Sequence, residues 1–292
     1  MKPYAILFIG AVAVSFASIF IRLAAAPPLV IATYRMVIAS LVLLPVASAK
    51  SLKRVRTLSV KDVSLIVLAS VFLAVHFALW ITSLSYTSIA SSVILVTVHP
   101  VFVALISYFL WKERLTGMQL IGIILTLCGA VLINYGSFTL SSEALLGDML
   151  ALFAGLMVGG YLIIGRHLRT RIDITGYLAL NYSGAAVFLL IATLTAGKPL
   201  FGYSGMTYLW LVLVALVPQL IGHSSFNLAL RLLPATFVSI AILGEPVGAT
   251  LLGYIILNEV PTLNELIGGT IVIIGIFTVL RQAPQTASVQ QI

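Results

Sequence analysis

The sequence predicts an all-α membrane protein: ten transmembrane helices forming two inverted five-helix repeats, with both the N- and C-termini cytoplasmic. Three observations carry this. First, 61% of the 292 residues are hydrophobic and 8% are charged, whereas soluble domains are roughly 45–50% apolar and about 25% charged. Second, ten apolar runs each have the length of a bilayer crossing. Third, the second half of the chain repeats the first. So few charges cannot cover a water-facing surface, and a mean hydropathy of +1.17 agrees. Lipid is the solvent for most of this chain.

A crossing takes about 20 mostly apolar residues. In order, the runs are Tyr4–Ala24, Leu29–Ser48, Asp62–Ser83, Thr87–Trp111, Thr116–Tyr135, Leu146–Gly165, Thr175–Thr195, Thr207–Leu230, Ala235–Leu257 and Thr262–Leu280. The first lies in "MKPYAILFIGAVAVSFASIF", which has the shape of a secretory signal peptide. Its "LFIG" at Leu7–Gly10 recurs as "LFAG" at Leu152–Gly155, so it reads as a span of the repeat. The second span contains Arg35, placed nearer the outer end, and the fourth and ninth contain Pro100 and Pro246. Cys128, in the fifth, reads as a small packing residue, and a lone cysteine gives neither a disulfide nor a metal site. In the sixth, Gly155 and Gly159, with Gly160, permit close helix approach. The eighth contains Pro218. Connectors are short, and residues 282–292 read as a disordered cytoplasmic tail.

Placing the N-terminus in the cytoplasm puts Lys2, Lys50, Lys53, Arg54, Arg56, Lys61, Lys112, Arg114, Arg166, Arg169, Arg171, Arg231 and Arg281 inside. That is 13 of 16 basic residues, against Arg22 and Lys198 outside and Arg35 within a span. Such a bias orients the chain, and it accounts for the net charge of +8 without nucleic acid. Glu143 and Asp148 then fall in a solvent-facing outer loop. The basic run "KSLKRVRTLSVK" is a cytoplasmic loop suited to anionic lipid.

A shift of 146 positions lays "HPVFVALISYFLWKERLTGMQLIGIILTLCGAVL" from His99 on "EPVGATLLGYIILNEVPTLNELIGGTIVIIGIFT" from Glu245. Pro100 meets Pro246, Glu113 meets Glu259, Thr116 meets Thr262, Gly122 meets Gly268 and Gly129 meets Gly275. The units are 1–137 and 147–281, joined by a periplasmic connector at 138–146. Five spans per unit is an odd number, so the second unit enters from the opposite side. Inverted repeats are a transporter architecture with the substrate near the midplane.

The paired pattern of Pro, then Glu thirteen residues on, then a glycine-containing apolar helix resembles the EamA repeat of the drug/metabolite transporter superfamily. The resemblance covers nearly the whole chain. It implies export or facilitated movement of small metabolites across a bacterial inner membrane. The superfamily's ten-helix members include amino-acid exporters of the YddG type, so amino acids are the implied substrate.

Ionisable residues inside spans usually face a cavity or the bundle interior. His99 and Glu245 occupy equivalent positions, each just before its proline, and proline frees a carbonyl one turn earlier. His76 and Trp80 share a face of the third span with Ser83. Gln219, His223 and Asn227 share a face of the eighth. The expected lining is therefore His76, Trp80, His99, Tyr161, His223, Asn227 and Glu245, with Pro100, Pro218 and Pro246 as hinges. Glu245 would take a cationic group or a proton, and Trp80 and Tyr161 an apolar part. Glu245 could instead pair with Arg35, the only basic side chain at depth.

No P-loop, HExxH or DxxD motif occurs, so no cofactor, metal or ATP use is expected, and the chain reads as a non-enzyme. "GYSG" at Gly202–Gly205 lies in a loop, away from any obvious base. Efflux of lipophilic cations is the second transport reading, and an intramembrane enzyme the remote one. The partners read from the sequence are a small-molecule substrate, protons as a second passenger, and membrane lipids.

Overall fold

The computed structural model describes residues 3–47, 58–111, 115–168, 171–229, 238 and 241–281, with side chains at all of these but 3, 110, 111, 137–140, 166 and 227. Every regular element among them is helical: α1 (Pro3–Ser15), α2 (Ala17–Leu23), α3 (Pro28–Val46), α4 (Val60–Ser83), α5 (Ile89–Val96), α6 (His99–Trp111), α7 (Gly117–Leu140), α8 (Ser142–Leu168), α9 (Ile174–Thr195), α10 (Gly205–Val214), a π-helical segment (Ala215–His223), α11 (Ser224–Ala229), α12 (Gly244–Leu257) and α13 (Leu263–Arg281). Nine helical segments among the described residues are long and apolar enough to cross a bilayer, and α12 is a shorter apolar helix. The ninth expected span began at Ala235, and most of its first part lies outside the described residues.

The surface is apolar where a soluble protein's would be charged. Phe8 is 69%, Val131 67%, Phe153 58% and Ile255 63% exposed. Helices carrying such residues outward need hydrocarbon around them, and their backbone groups must be satisfied within each helix. This is a multi-pass membrane protein.

Helix starts follow the local sequence. Ser59 caps α4 in a reciprocal capping box with Asp62, Asp173 caps α9, and Ser204, the serine of "GYSG", caps α10. At the end of α12, Asn258 takes a left-handed conformation (φ 56°) and Glu259 N–H bonds Gly253 O at 3.1 Å, which turns the chain sharply.

Long helices pair antiparallel. On α4 and α8, His76 meets Ala154 and Thr87, just past α4, meets Gly147. On α1 and the π segment, Val14 meets Gly222. The closest crossing is α7 on α13, where glycines let backbones touch: a Cβ on Gly122 would lie 2.7 Å from Gly275 O, and one on Gly129 2.6 Å from Gly268 O. One apolar cluster fills the space among α2, α3, α4, α8 and α9, a second lies among α5, α7 and α13, and a third joins α1 to α11.

Three sequence expectations change. The connector expected at 138–146 is largely helical, because α7 runs to Leu140 and α8 restarts at Ser142. Asp148 is fully buried in α8 and accepts a 2.6 Å hydrogen bond from Thr87 Oγ1. Cys128 is exposed, on the side of α7 away from the Gly122–Gly129 contact.

Candidate functional site

Both prolines that match across the repeat stand just after helix breaks. Helix α5 stops at Val96, residues 97–98 form a turn, and α6 begins at His99. Pro100 supplies no N–H for Val96 O, the carbonyl four residues back. That carbonyl faces His99 Nδ1 at 3.4 Å and packs against Gly155, where a Cβ would come within 2.9 Å. In the second half the turn residue is Leu243, and Glu245 and Pro246 open α12. Pro218 sits inside the π segment, and such segments often occur at functional sites. Here it carries Gln219 and His223 on one face. Pro100 and Pro246 thus mark breaks in single spans, and Pro218 a local change of helix type.

Between these irregular stretches lies a cavity of about 200 Å³. Six of the seven residues singled out in the sequence line it: His76, Trp80, His99, Tyr161, His223 and Glu245. The seventh, Asn227, has its side chain outside the described residues. At below the roughly 300–1,000 Å³ of common ligand pockets, the space suits a small molecule. Its lining also includes Ile174 at the start of α9, with Phe226 and Val238. Ile174 lies toward the end of the bundle where α4 and α9 begin.

The aromatic wall is ordered by stacking. His76 lies parallel to Trp80 (centroids 6.2 Å, 9°) and edge-on to Phe77 at 4.8 Å. Its Nδ1 donates to Ala154 O at 2.9 Å, which turns Nε2 the other way. Tyr161 stacks on Tyr177 at 6.0 Å.

Sequence reasoning underrated Arg35. It is 1% exposed, yet it lines this same cavity with Glu245. Its Nε donates to Gln219 Oε1 at 2.8 Å and its Nη2 makes a long contact with His223 Nε2 at 3.5 Å. The guanidinium carbon stands 4.3 Å from the Phe77 ring centroid and 5.5 Å from that of Trp80. Cation–π contacts contribute about 2 kcal/mol when desolvated, less than the several kcal/mol that burying one ion costs. Glu245 forms no ion pair among the described residues. The alternative of an Arg35–Glu245 ion pair is thus not what forms: the two side chains line one chamber without salt-bridge contact.

The far end of the bundle is tied across both halves. Arg22 Nη2 donates to Thr87 O at 2.8 Å and lies 3.4 Å from Glu259 Oε2. Ile89 N–H donates to Glu259 Oε1, and Ser88 Oγ to Glu265 Oε1. At the other end Arg171 bonds both oxygens of Asp62, at 2.7 and 2.9 Å. Glu113, the repeat counterpart of Glu259, lies outside the described residues.

The model of the EamA-like transporter family matches residues 1–135 and again residues 145–281. The chain belongs to that family. Similar proteins include an "uncharacterized transporter" of Clostridium kluyveri, 26% identical over 82% of this chain and 78% of its own. Two more come from Bacillus subtilis: YdfC, 25% identical over 94% of this chain and 89% of its own, and YetK, 29% identical over 85% and 77%. Both are likewise named as uncharacterized transporters. A solved crystal structure aligns with a TM-score of 0.66 at 18% identity, covering 95% of this chain and 96% of the other, a likeness of fold. As an EamA-family protein this is a membrane transporter of small substrates, and not an enzyme.

Proposed function

We propose that this EamA-family protein moves amino acids across a bacterial inner membrane by alternating access around the central cavity. The observation that carries the reading is that polar residues from both family-matched halves converge on one chamber: His76, Trp80 and His99 from the first, Tyr161, His223 and Glu245 from the second. A structural scaffold has no need to bring dispersed polar groups of an apolar chain to one place at half depth.

The relation between halves supports an inverted repeat. The α7–α13 contact is reciprocal: Gly122 meets Gly275 and Gly129 meets Gly268, so adding or subtracting 146 converts one pair into the other. The α4–α8 packing likewise has its counterpart in α1 with the π segment. With the basic loops in the cytoplasm, the cavity extends toward the cytoplasmic side, and the Arg22–Glu259 tie closes the outer side. In this reading the structure is inward-facing. Breaks at residues 97–98, at Leu243 and in the π segment would supply the bending points for exchange.

The test is counterflow into sealed proteoliposomes. Vesicles preloaded with one unlabelled amino acid should accumulate it in labelled form transiently, driven by the outward gradient of the unlabelled form with no ion gradient imposed, and without chemical change. If no member of a panel of the standard amino acids counterflows while a lipophilic cation does, the second transport reading replaces this one.

A further inference from the structure

Arg35 carries an unmet capacity that the sequence did not reveal. A guanidinium has five N–H donors in a rigid fork. Gln219 and His223 engage Nε and Nη2, whereas Nη1 has no hydrogen-bond partner although it is buried. Trp80 Nε1, beneath the same guanidinium, is also buried without one. Both residues line the cavity. The partners of the guanidinium named here, Gln219, Phe77 and Trp80, are uncharged, so they orient the cation without neutralising it. Buried polar groups are nearly always paired, and two orphaned donors on neighbouring residues that line one cavity mark a place for an acceptor.

We propose that Arg35, assisted by Trp80 Nε1–H, is the docking point for a carboxylate of the transported molecule, and that Glu245 meets its ammonium group. The fork geometry of arginine suits a carboxylate bidentately. A guanidinium and a carboxyl group in one chamber suit a passenger carrying both charges in reverse. That passenger is a zwitterion of no net charge. A lipophilic monocation would find Glu245 but would share the chamber with the positive charge of Arg35. A small neutral amino acid places its α-carboxylate on Arg35, its amine toward Glu245, and its side chain among the aromatic rings. The identity of the passenger rests on the amino-acid reading above; the carboxylate contact at Arg35 does not.

The experiment is binding to the purified full-length protein, followed by radioligand competition in detergent. The probes are phenylalanine, leucine and threonine, their carboxamides, and the deamino acids 3-phenylpropionate and 4-methylpentanoate. Amides should bind roughly 10–100-fold more weakly than the parent acids, the loss expected for a charge-assisted hydrogen bond. Arg35→Gln should abolish that discrimination, Arg35→Lys should retain part of it, and melting curves would report whether each variant folds. The wild-type comparison decides even if both variants unfold. Amides binding as well as acids would overturn the Arg35 contact and leave the amino-acid reading standing. Deamino acids binding as tightly as amino acids would keep Arg35 and remove the amino-acid reading. Failure of every probe to bind would overturn both.

Discussion

Adding one methyl group to the α7–α13 crossing tests the packing on which the two-halves account is built. In Gly129→Ala the new Cβ would lie 2.6 Å from Gly268 O, and in Gly275→Ala 2.7 Å from Gly122 O. An ordinary contact begins at 3.4 Å, so the helices must separate by about 0.8 Å (3.4 − 2.6) and 0.7 Å (3.4 − 2.7) respectively. Gly268 O and Gly122 O are backbone atoms, which no rotamer change can move, and at Gly275 the Thr126 Oγ1 obstructs as well. Such overpacking costs about 1–3 kcal/mol. Because positions 129 and 275 are equivalent under the 146-residue shift, the two variants should lose similar stability. The assay is thermal melting in detergent, with Gly117→Ala as the control, since nothing lies within 4 Å of a Cβ there. If Gly129→Ala melted with the control, or if only one of the equivalent pair were destabilised, the reciprocal crossing would be wrong.

Three further outcomes follow from the site and the end network. Glu245→Gln keeps the shape of the side chain but removes its charge; it should abolish counterflow of a neutral amino acid while melting stays near wild type, and unchanged flux would remove Glu245 from the site. Glu259→Gln should loosen the tie to Arg22 and Ile89 and raise labelling of a cysteine introduced in the cavity (Ala17→Cys) from the Arg22–Glu259 end. Its stability should change by under about 1 kcal/mol, because exposed pairs contribute little and these side chains are 32% and 25% exposed. Thr87→Val strips Asp148 of a buried donor, which should cost about 1.5–3 kcal/mol in melting measurements; an unchanged melting point would show the carboxyl satisfied without it.

The membrane class and most of the cavity were legible in the chain because both rest on contrast. A His, Trp, Tyr or Glu inside an apolar run stands out, and six such residues converge on one chamber. Proline positions likewise located the breaks at residues 97–98 and at Leu243. Arg35 was misjudged because depth read from span ends follows Cα position. It lies seven residues into α3, about 10 Å by helical rise, and its long side chain reaches on to Gln219 and the Phe77–Trp80 face. Asp148 was taken as a loop residue because it stands only two residues inside an apolar run marked from Leu146, yet α8 begins at Ser142 and its partner Thr87 is 61 residues away. Cys128 illustrates a third difficulty: which face of a uniformly apolar helix is buried depends on a partner helix, here α13, that local sequence does not reveal.

Two-sided labelling of a cysteine in the chamber tests the central claim most directly. In a Cys128→Ala background, Ala17→Cys places a thiol on a residue that lines the cavity. Right-side-out and inside-out vesicles would be treated with a membrane-impermeant maleimide, with and without a neutral amino acid. Alternating access predicts labelling from both sides, faster from the cytoplasmic side at rest, with a rate ratio that shifts when substrate is added. Labelling from one side only, unmoved by any substrate that counterflows, would contradict it.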